Sequence, residues 1–551
     1  MRQRSFLGFI AAGVLVLLLG IAGFYWFSAK NPLPLTTSTS QPGAAIFVSK
    51  QAPAMVSMLV NPERLEALEG DGEFSKLKTS LLANTDIDYK QDIQPWLGNE
   101  ITLAVTTLDI DRDSENGRQL GYLMALATNK PEKSREFVNL LFSKRALAGA
   151  NLTVEEYKGV KVISDDSQPE KLLAGASVGD EFVLFANDPK VLRDAINNVQ
   201  APDLNLSSSA QYQKATKQVP KDSLAVAFLN LPVVAEWQGL KLPEQIYNSQ
   251  IVSLALPNKG LLAETSLLAS EEIVPSSEQL SKPVEALQYI PASASLAISG
   301  SNLSNLNNSD LAKLWKQITV AVSAFRQELI STLLQPLGDV EKRWGLNFDQ
   351  DIFNWVPGEY ALALLPREEQ TTPDWIFVAE KSEATPEGIS RLDAIASSSG
   401  LTNSSLNLDQ QKIFTWTELK TVTKDSGDAK NRKSFAIEAK VYAAHTNLGN
   451  YEIFTSNLET MDEALKAKEY SLIDNRNFQD SIAAIPRPNQ GYVYLDWTKS
   501  QKLLEQELPI LKLVKVVGKP FFNNLRSLTV SSYGSETGTL KGGVFFKLDG
   551  A

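Results

Sequence analysis

Carboxylates recur at alternate positions in one short stretch of the chain. Asp109, Asp111 and Asp113 stand in an order that resembles the start of a calcium-binding loop. Such a loop needs Gly at its sixth position and a bidentate Glu at its twelfth, and these positions hold Ser114 and Leu120. The three aspartates are therefore weak candidate metal ligands, and a solvated hairpin loop is the favoured interpretation.

Two glutamates, Glu100 and Glu359, suggest a paired-carboxylate mechanism, because glycoside hydrolysis uses two acids that face one cleft. They occupy equivalent places in two similar segments, so they would oppose each other only if the two parts of the chain docked face to face. The simpler interpretation is a turn and a buried aromatic side chain in each segment, formed by Asp92 with Asp351 and Trp96 with Trp355.

His445 is the single histidine of the chain, and there is no cysteine. This composition excludes disulfides, thiolate zinc sites, iron–sulfur clusters and two-histidine metal sites. The residue follows an alternation of apolar residues from Phe435 to Ala443, which predicts a position on the apolar side at a strand end, with Ala176 as its counterpart in the first half. A partly buried, hydrogen-bonded histidine is expected there, and a site new to the second half is the alternative.

The elements that position these residues come from an internal repeat. Residues 88–100 align with residues 347–359 without a gap, sharing Gln-Asp-Ile, a tryptophan and the final glutamate. A predicted strand and helix follow in both copies, and each half ends in a predicted hairpin. A shorter element, in which a proline ends a segment and a half-buried strand follows, occurs four times, at Pro53, Pro220, Pro291 and Pro486.

The first thirty residues have the pattern of a membrane anchor. Ser5 to Ala29 is an uncharged run of 25 residues preceded by Arg2 and Arg4, long enough as a helix to cross a hydrocarbon core of roughly 30 Å. The basic amino terminus predicts that the remainder lies outside the cytoplasm. Cleavage as a signal peptide near Ala29 is the alternative.

These patterns predict an α+β fold: tandem duplicated domains of largely antiparallel sheet with helices packed on a face, after one N-terminal transmembrane helix. The predicted organisation is a cytoplasmic tail (1–4), a transmembrane anchor (5–29), a Pro/Ser/Thr stalk (30–45), a first α+β repeat (46–274), a linker (275–282) and a second α+β repeat (283–551).

Charge restricts the class of partner. The chain has 53 basic and 64 acidic residues, and residues 1–30 hold three of the basic ones and no acidic ones, so the remainder carries a net charge of −14. A nucleic-acid partner is not expected, because no basic run with interleaved aromatic residues is present. No cofactor is expected either, since the sequence has no phosphate-binding glycine-rich loop.

A family resemblance covers essentially the whole chain. The segments at 2–26 and 44–68, with the Pro-Trp-Leu-Gly block at 95–98, resemble an uncharacterised family of membrane-anchored cyanobacterial proteins that is known only as a domain of unknown function. The resemblance implies a cyanobacterial cell membrane facing the periplasm, or a thylakoid membrane facing the lumen. It implies no reaction, ligand or catalytic residue.

Two classes of function remain open. The organised features are apolar and repeated, and the polar residues form no convergent set, which favours a membrane-anchored extracytoplasmic binding or scaffold protein with a protein or an apolar ligand as its partner. The alternative is a carboxylate-dependent envelope hydrolase that acts on glycan or peptide. Two acids with opposed pKa shifts in one cleft would favour the hydrolase, whereas an exposed apolar patch would favour binding.

Overall fold

The structure is a computed structural model, and it describes residues 41–549 except 60–88, 114, 116, 168–171, 239–246, 258, 270–278, 307–308, 311–346, 368–369, 371, 426–432, 502–518 and 537. The proposed anchor at 5–29 and most of the stalk at 30–45 lie outside these residues. Within them, no helix has the length and apolar character needed to cross a membrane.

Alternating and fully apolar runs form twenty strands in the described residues, and every ladder between them is antiparallel. Their bounds are β1 Ala54–Met58, β2 Leu97–Thr107, β3 Gly121–Thr128, β4 Leu152–Tyr157, β5 Val160–Asp165, β6 Leu173–Val178, β7 Phe182–Ala186, β8 Ala225–Asn230, β9 Tyr247–Ala255, β10 Gly260–Ala269, β11 Leu296–Gly300, β12 Tyr360–Leu365, β13 Asp374–Glu380, β14 Thr402–Leu408, β15 Gln411–Asp425, β16 Lys433–Leu448, β17 Tyr451–Thr455, β18 Tyr492–Asp496, β19 Leu525–Glu536 and β20 Thr539–Leu548.

The strands of the first half are ordered β4-β5-β6-β7-β3-β2-β1-β8-β9-β10. The strands of the second half follow the same order with ten added to each number. The four proline-started segments form β1, β8, β11 and β18, and they pair as β1 with β8 and β11 with β18. The prediction of a largely antiparallel α+β fold is therefore confirmed.

The two halves meet edge to edge, where β10 pairs with β20 from Gly260 opposite Lys547 to Leu268 opposite Thr539. An ion triad lies beside this ladder, since Asp480 accepts from Lys259 Nζ at 2.7 Å and from Lys547 Nζ at 2.6 Å. Burial raises the pKa of Asp480, but the two lysines outweigh it, so that its pKa lies below the usual range. The described residues thus form one sheet that runs through both halves.

Nine α-helices of the described residues accompany the sheet. Three of them begin at a residue whose side chain accepts a backbone N–H of the first turn, namely Asp188, Asn457 and Asn475. The bounds are α1 Pro131–Leu147, α2 Pro189–Gln200, α3 Ala210–Thr216, α4 Leu231–Gln238, α5 Phe348–Asp351, α6 Thr385–Ser398, α7 Leu458–Lys466, α8 Arg476–Ala483 and α9 Lys519–Asn524, with 3-10 helices at Gly43–Ile46, Pro202–Leu204, Glu285–Tyr289, Phe353–Trp355, Ala467–Glu469 and Leu472–Asp474 and a π-helix at Tyr89–Ile93.

Buried apolar side chains of the strands and helices form the core. In the first half, Phe137 and Leu141 of α1 and Leu192 of α2 are buried in clusters with strand residues. In the second half, Leu392 of α6 and Met461 of α7 are buried in the same manner. This packing fixes the helices on the sheet and positions the strand residues discussed below.

Candidate functional site

Glu100 and Glu359 each bind the first turn of the short 3-10 helix that begins its half of the sheet. Glu100 Oε2 accepts from Gly43 N at 2.8 Å and its Oε1 accepts from Ala44 N at 3.0 Å. Glu359 Oε2 accepts from Glu285 N at 2.7 Å. A carboxylate is favourable here because the first N–H groups of a helix have no partner within the helix.

The remaining contacts of both carboxylates are also with the protein. Glu100 is buried and accepts from Thr102 Oγ1 at 2.8 Å. Glu359 is half-buried and accepts from the Tyr451 hydroxyl at 3.0 Å. Burial raises the pKa of Tyr451, and the neighbouring Glu359 raises it further, so the hydroxyl stays protonated and donates.

The two carboxylates lie in strands that are far apart in the sheet. Glu100 is in β2, and Glu359 immediately precedes β12. Nine strand spacings separate β2 from β12, which is about 43 Å measured across the sheet. The two acids of a glycosidase are only about 5–10 Å apart. Because each carboxylate also binds the 3-10 helix of its own half, both positions fit the structural interpretation.

Each tryptophan of the repeated segment is buried and bonded to the same place in its own turn. Trp96 Nε1 donates to Asp92 O, and Trp355 Nε1 donates to Asp351 O, both at 2.7 Å. The prediction of a turn with a buried aromatic side chain is confirmed in both halves. Gly388 of α6 lies against the second ring, where an added Cβ would be 2.6 Å from Trp355 Cδ2.

The aspartates at 109, 111 and 113 lie in the loop between β2 and β3, and backbone N–H groups of that loop occupy their oxygens. Asp111 Oδ1 accepts from Asp113 N at 3.0 Å, Asp113 Oδ1 from Glu115 N at 3.0 Å, and Asp109 Oδ1 from Gln119 N at 3.3 Å. In the part of the chain that the structure describes, no three acidic or histidine side chains are grouped so that they could bind a metal ion.

His445 is buried and pairs with a buried acid. Its Nδ1 lies 2.7 Å from Glu452 Oε1, and the two residues are only 4% and 3% exposed. The imidazole stacks between aromatic rings of the neighbouring strands, with centroids 5.1 Å from Phe414, 5.0 Å from Trp416 and 5.5 Å from Phe454. The prediction of a hydrogen-bonded histidine is confirmed, and the side chain is buried more completely than the predicted partial burial.

His445 lies on a buried apolar side, as predicted, among Phe414, Trp416 and Phe454. The unbroken alternation from which this was predicted, and the position at the strand end, are wrong. Trp416 pairs with Ala443, whereas Thr417 pairs with Val441, so Tyr442 is an extra residue. One extra residue reverses the faces of a strand, and His445 therefore lies on the face opposite Val441. Its position is also three residues before the end of β16.

The counterpart of His445 by strand pairing is Gly175 and not Ala176. His445 lies opposite Phe454, and in the first half Gly175 lies opposite the equivalent Phe185. A Cβ at Gly175 would be 2.6 Å from the Phe142 ring. In the first half, the Phe142 side chain of α1 therefore occupies the space that the His445 side chain occupies in the second half.

The sequence reasoning did not foresee a two-stranded arm. Pairing of β14 with β15 extends only to Thr417, and pairing of β17 with β16 begins only at Ala444. Residues 418–425 and 433–443, which we call the arm, pair with no other strand among the described residues. The equivalent strands β5 and β6 have only six residues each. The period-two alternation at 435–443 and the length of the two strands were the features of the sequence that could have indicated the arm.

The two faces of the arm differ in chemistry. On one face Leu419 lies opposite Ala439 and Ile437 lies opposite Thr421, and the two large apolar residues are 53% and 73% exposed. On the other face, which is charged, glutamates and lysines lie opposite each other in two pairs, Glu418 with Lys440 and Lys420 with Glu438. The arm is thus an amphipathic ribbon whose apolar face is open to solvent in the described structure.

The comparisons with known proteins identify a family and no activity. A family model for a "Protein of unknown function (DUF3352)" matches residues 9–548. No curated protein matches the sequence.

Partial similarity to solved structures is also found. Crystal forms I, III and IV of TP0453 have 10%, 12% and 11% sequence identity to this chain. Each match covers 42% of this chain, and the matches cover 81%, 82% and 81% of the TP0453 chain, respectively. The TM-scores are 0.24, 0.25 and 0.24. Similarity at this level carries no argument about the fold or the function.

Proposed function

Because the chain belongs to the family of proteins of unknown function DUF3352, which brings no reaction with it, we propose a function from its own residues: a membrane-tethered, extracytoplasmic binding or scaffold protein. Its partner is a protein or a bulky apolar ligand. Residues 5–29 are the tether, and the Pro/Ser/Thr segment at 30–42 gives the folded part reach from the membrane surface. Residues 43–45 of the predicted stalk belong to the folded part, where they lie in the first 3-10 helix.

The observation that carries the proposal is the open apolar face of the arm. Isolated large apolar residues are common on protein surfaces, but Leu419 and Ile437 are neighbours on one face of a ribbon. A two-stranded ribbon is only marginally stable in water by itself, and a covering partner would stabilise it. An exposed apolar surface next to charged residues is a typical interaction site.

The hydrolase alternative receives no support from the same structure. Its best candidates, Glu100 and Glu359, bind helix N–H groups in different halves of the sheet. His445 is buried among aromatic rings, and its imidazole already contacts Glu452. A catalytic base has to reach the proton that it removes, and Glu100 and His445 are buried. The half-buried Glu359 is bonded to Glu285 N and to the Tyr451 hydroxyl.

The tether and the internal duplication are parts of the proposal. The uncharged run of 25 residues after Arg2 and Arg4 supports a retained anchor with residues 31–551 outside the cytoplasm, facing the periplasm or a thylakoid lumen. The same strand order in both halves, with the gap-free match of 88–100 to 347–359, is what a duplication of one α+β domain would produce. Protease added to spheroplasts or opened thylakoids should digest the folded part, and protection there would contradict the topology.

A pull-down with matched variants tests the binding role. The full chain, solubilised from membranes, is compared with Ile437→Asp and with Leu147→Asp, which places the same charge at an 89% exposed apolar residue away from the arm. We expect the arm variant alone to lose the partner. Equal recovery by both variants, with turnover of envelope glycans, peptides or esters that is abolished by Glu100→Gln or Glu359→Gln, would replace the binding role by the hydrolase.

A further inference from the structure

The outer edge of the arm is paired by no other described strand over residues 433–441. β16 pairs with β15 on one side from residue 433, but on its other side the described strands join it only from Ala444, where β17 begins to pair. Among the described residues, 433–441 therefore present an edge of N–H and C=O groups. Such an edge accepts a further strand unless its side chains prevent it.

The order of residues along this edge is self-complementary. If two copies of β16 pair antiparallel with Ala439 opposite Ala439 of the copy, then Glu438 lies opposite Lys440 and Ile437 lies opposite Val441, twice each by symmetry. Opposite charges and β-branched apolar residues in direct cross-strand positions stabilise a ladder. From this edge we infer that the partner at the arm is a second copy of this chain.

The charges already present in the arm extend across the seam that this pairing would create. Within one copy Glu418 lies opposite Lys440, and Lys420 lies opposite Glu438. With the second copy added, acidic and basic residues alternate across all four strands, and on the other face Leu419 of each copy flanks the central alanines. Two marginal ribbons become one four-stranded sheet with a common apolar face.

The same charges argue against other occupants. An edge strand with Glu and Lys is normally protected from a strand of unrelated sequence, since only a matching order of charges avoids repulsion. An anionic membrane surface would meet Glu418 and Glu438 together with the lysines, and the chain as a whole has a net charge of −11. A copy of the chain supplies the matching order by itself.

The inference rests on the proposed binding role and names its partner, and charge reversal tests the two separately. In Glu438→Lys two basic residues face each other at both symmetric contacts, and in Lys440→Glu two acidic residues do. Each variant alone should dimerise at least about tenfold more weakly than the wild type, because like charges directly opposite each other destabilise a ladder. An equimolar mixture of the two should recover association, since both contacts across the seam then join opposite charges. Each variant also places like charges opposite each other within its own arm, at Lys420 or at Glu418, but this effect is the same for the variant alone and in the mixture.

Sedimentation of the full chain in mild detergent measures these affinities, and circular dichroism checks that each variant is folded. Contacts through residues 5–29 would be equal in all variants, so the difference between variants reports on the arm. Unchanged association of both single variants, or folded variants whose mixture stays apart, would overturn the inference. A partner other than the chain, recovered at the same time, would leave the binding role standing.

Crosslinking provides a positional readout, because the chain has no cysteine of its own. Ala439→Cys should form an intermolecular disulfide on mild oxidation, since directly opposite residues of an antiparallel pair have Cα atoms about 4.5–5.5 Å apart, within disulfide reach. Ser404→Cys, at an exposed position of the edge strand β14, is the matched control. Dimer formation by the Ser404 variant alone, or equally by both, would contradict the pairing of β16 with its copy.

Discussion

The contact between Gly388 and Trp355 decides whether Gly388→Ala stabilises or destabilises the protein. Gly388→Ala in α6 gains about 0.5–1 kcal/mol, because Ala loses less conformational freedom in a helix than Gly. The added Cβ, however, would be 2.6 Å from Trp355 Cδ2 and 2.7 Å from Cε2. Overpacking of this kind costs about 1–3 kcal/mol. We expect Gly388→Ala to lower the free energy of unfolding by about 1 kcal/mol.

Removal of the ring should reverse that sign. Trp355→Ala alone should cost about 3–5 kcal/mol, the usual loss for a buried aromatic side chain. In the Trp355→Ala background the methyl group of Gly388→Ala has space, so the second change should stabilise by about 0.5–1 kcal/mol. The double-mutant cycle should therefore show a coupling of about 2 kcal/mol.

Urea denaturation of the four proteins, followed by circular dichroism, measures the cycle. Trp96→Ala is the matched background, because Trp96 makes the same indole bond in the other half and has no contact with Gly388. There Gly388→Ala should destabilise as it does in the wild type. A Gly388→Ala effect of the same sign and size with and without Trp355 would refute the packing of α6 on this ring.

Three further predictions concern the seam, the capping acids and the halves. Asp480→Asn should lower the free energy of unfolding at neutral pH, as measured by urea denaturation. The difference from the wild type should vanish as the pH falls through the folded pKa of Asp480, because an acid with a lowered pKa contributes stability only while it is ionised. A difference that does not depend on pH would contradict the ion triad. Glu100→Gln leaves one of the two N–H groups, Gly43 N or Ala44 N, facing an amide donor, and it should cost up to about 3 kcal/mol without abolishing any reaction. An unchanged melting temperature with loss of a turnover would assign Glu100 to catalysis. A fragment of residues 279–551 should unfold cooperatively and dimerise through β20, since β10 no longer covers that edge; a protease-sensitive, non-cooperative fragment would mean that the halves share one core.

Local pattern in the sequence was enough to predict many of the strands and the antiparallel α+β class. A proline followed by alternating residues indicates where β1 and β8 begin, because proline ends the preceding segment and period two is particular to strands. The gap-free match around Trp96 and Trp355 placed both rings correctly, since a tryptophan next to a turn is usually buried.

The features that sequence reasoning missed depend on distant contacts. The alternation was predicted to continue unbroken to His445, and this was wrong because Tyr442 is an extra residue and nothing in the sequence before it marks a bulge. Trp416 packs against His445 and donates a hydrogen bond from Nε1 to Asp393, and both contacts join separate elements. The pairing of β10 with β20 likewise joins strand edges far apart in the chain, and one sheet edge resembles another in sequence.

The proposal that the arm is the binding surface of a membrane-tethered protein is tested most directly by photo-crosslinking in native membranes. A photoreactive amino acid replaces Ile437 in the full chain, and the same amino acid replaces Leu147 as the control with similar exposure. The account predicts a discrete protein adduct from position 437, a second copy of the chain included, and none from position 147. Absence of any adduct at 437 above the control would contradict it.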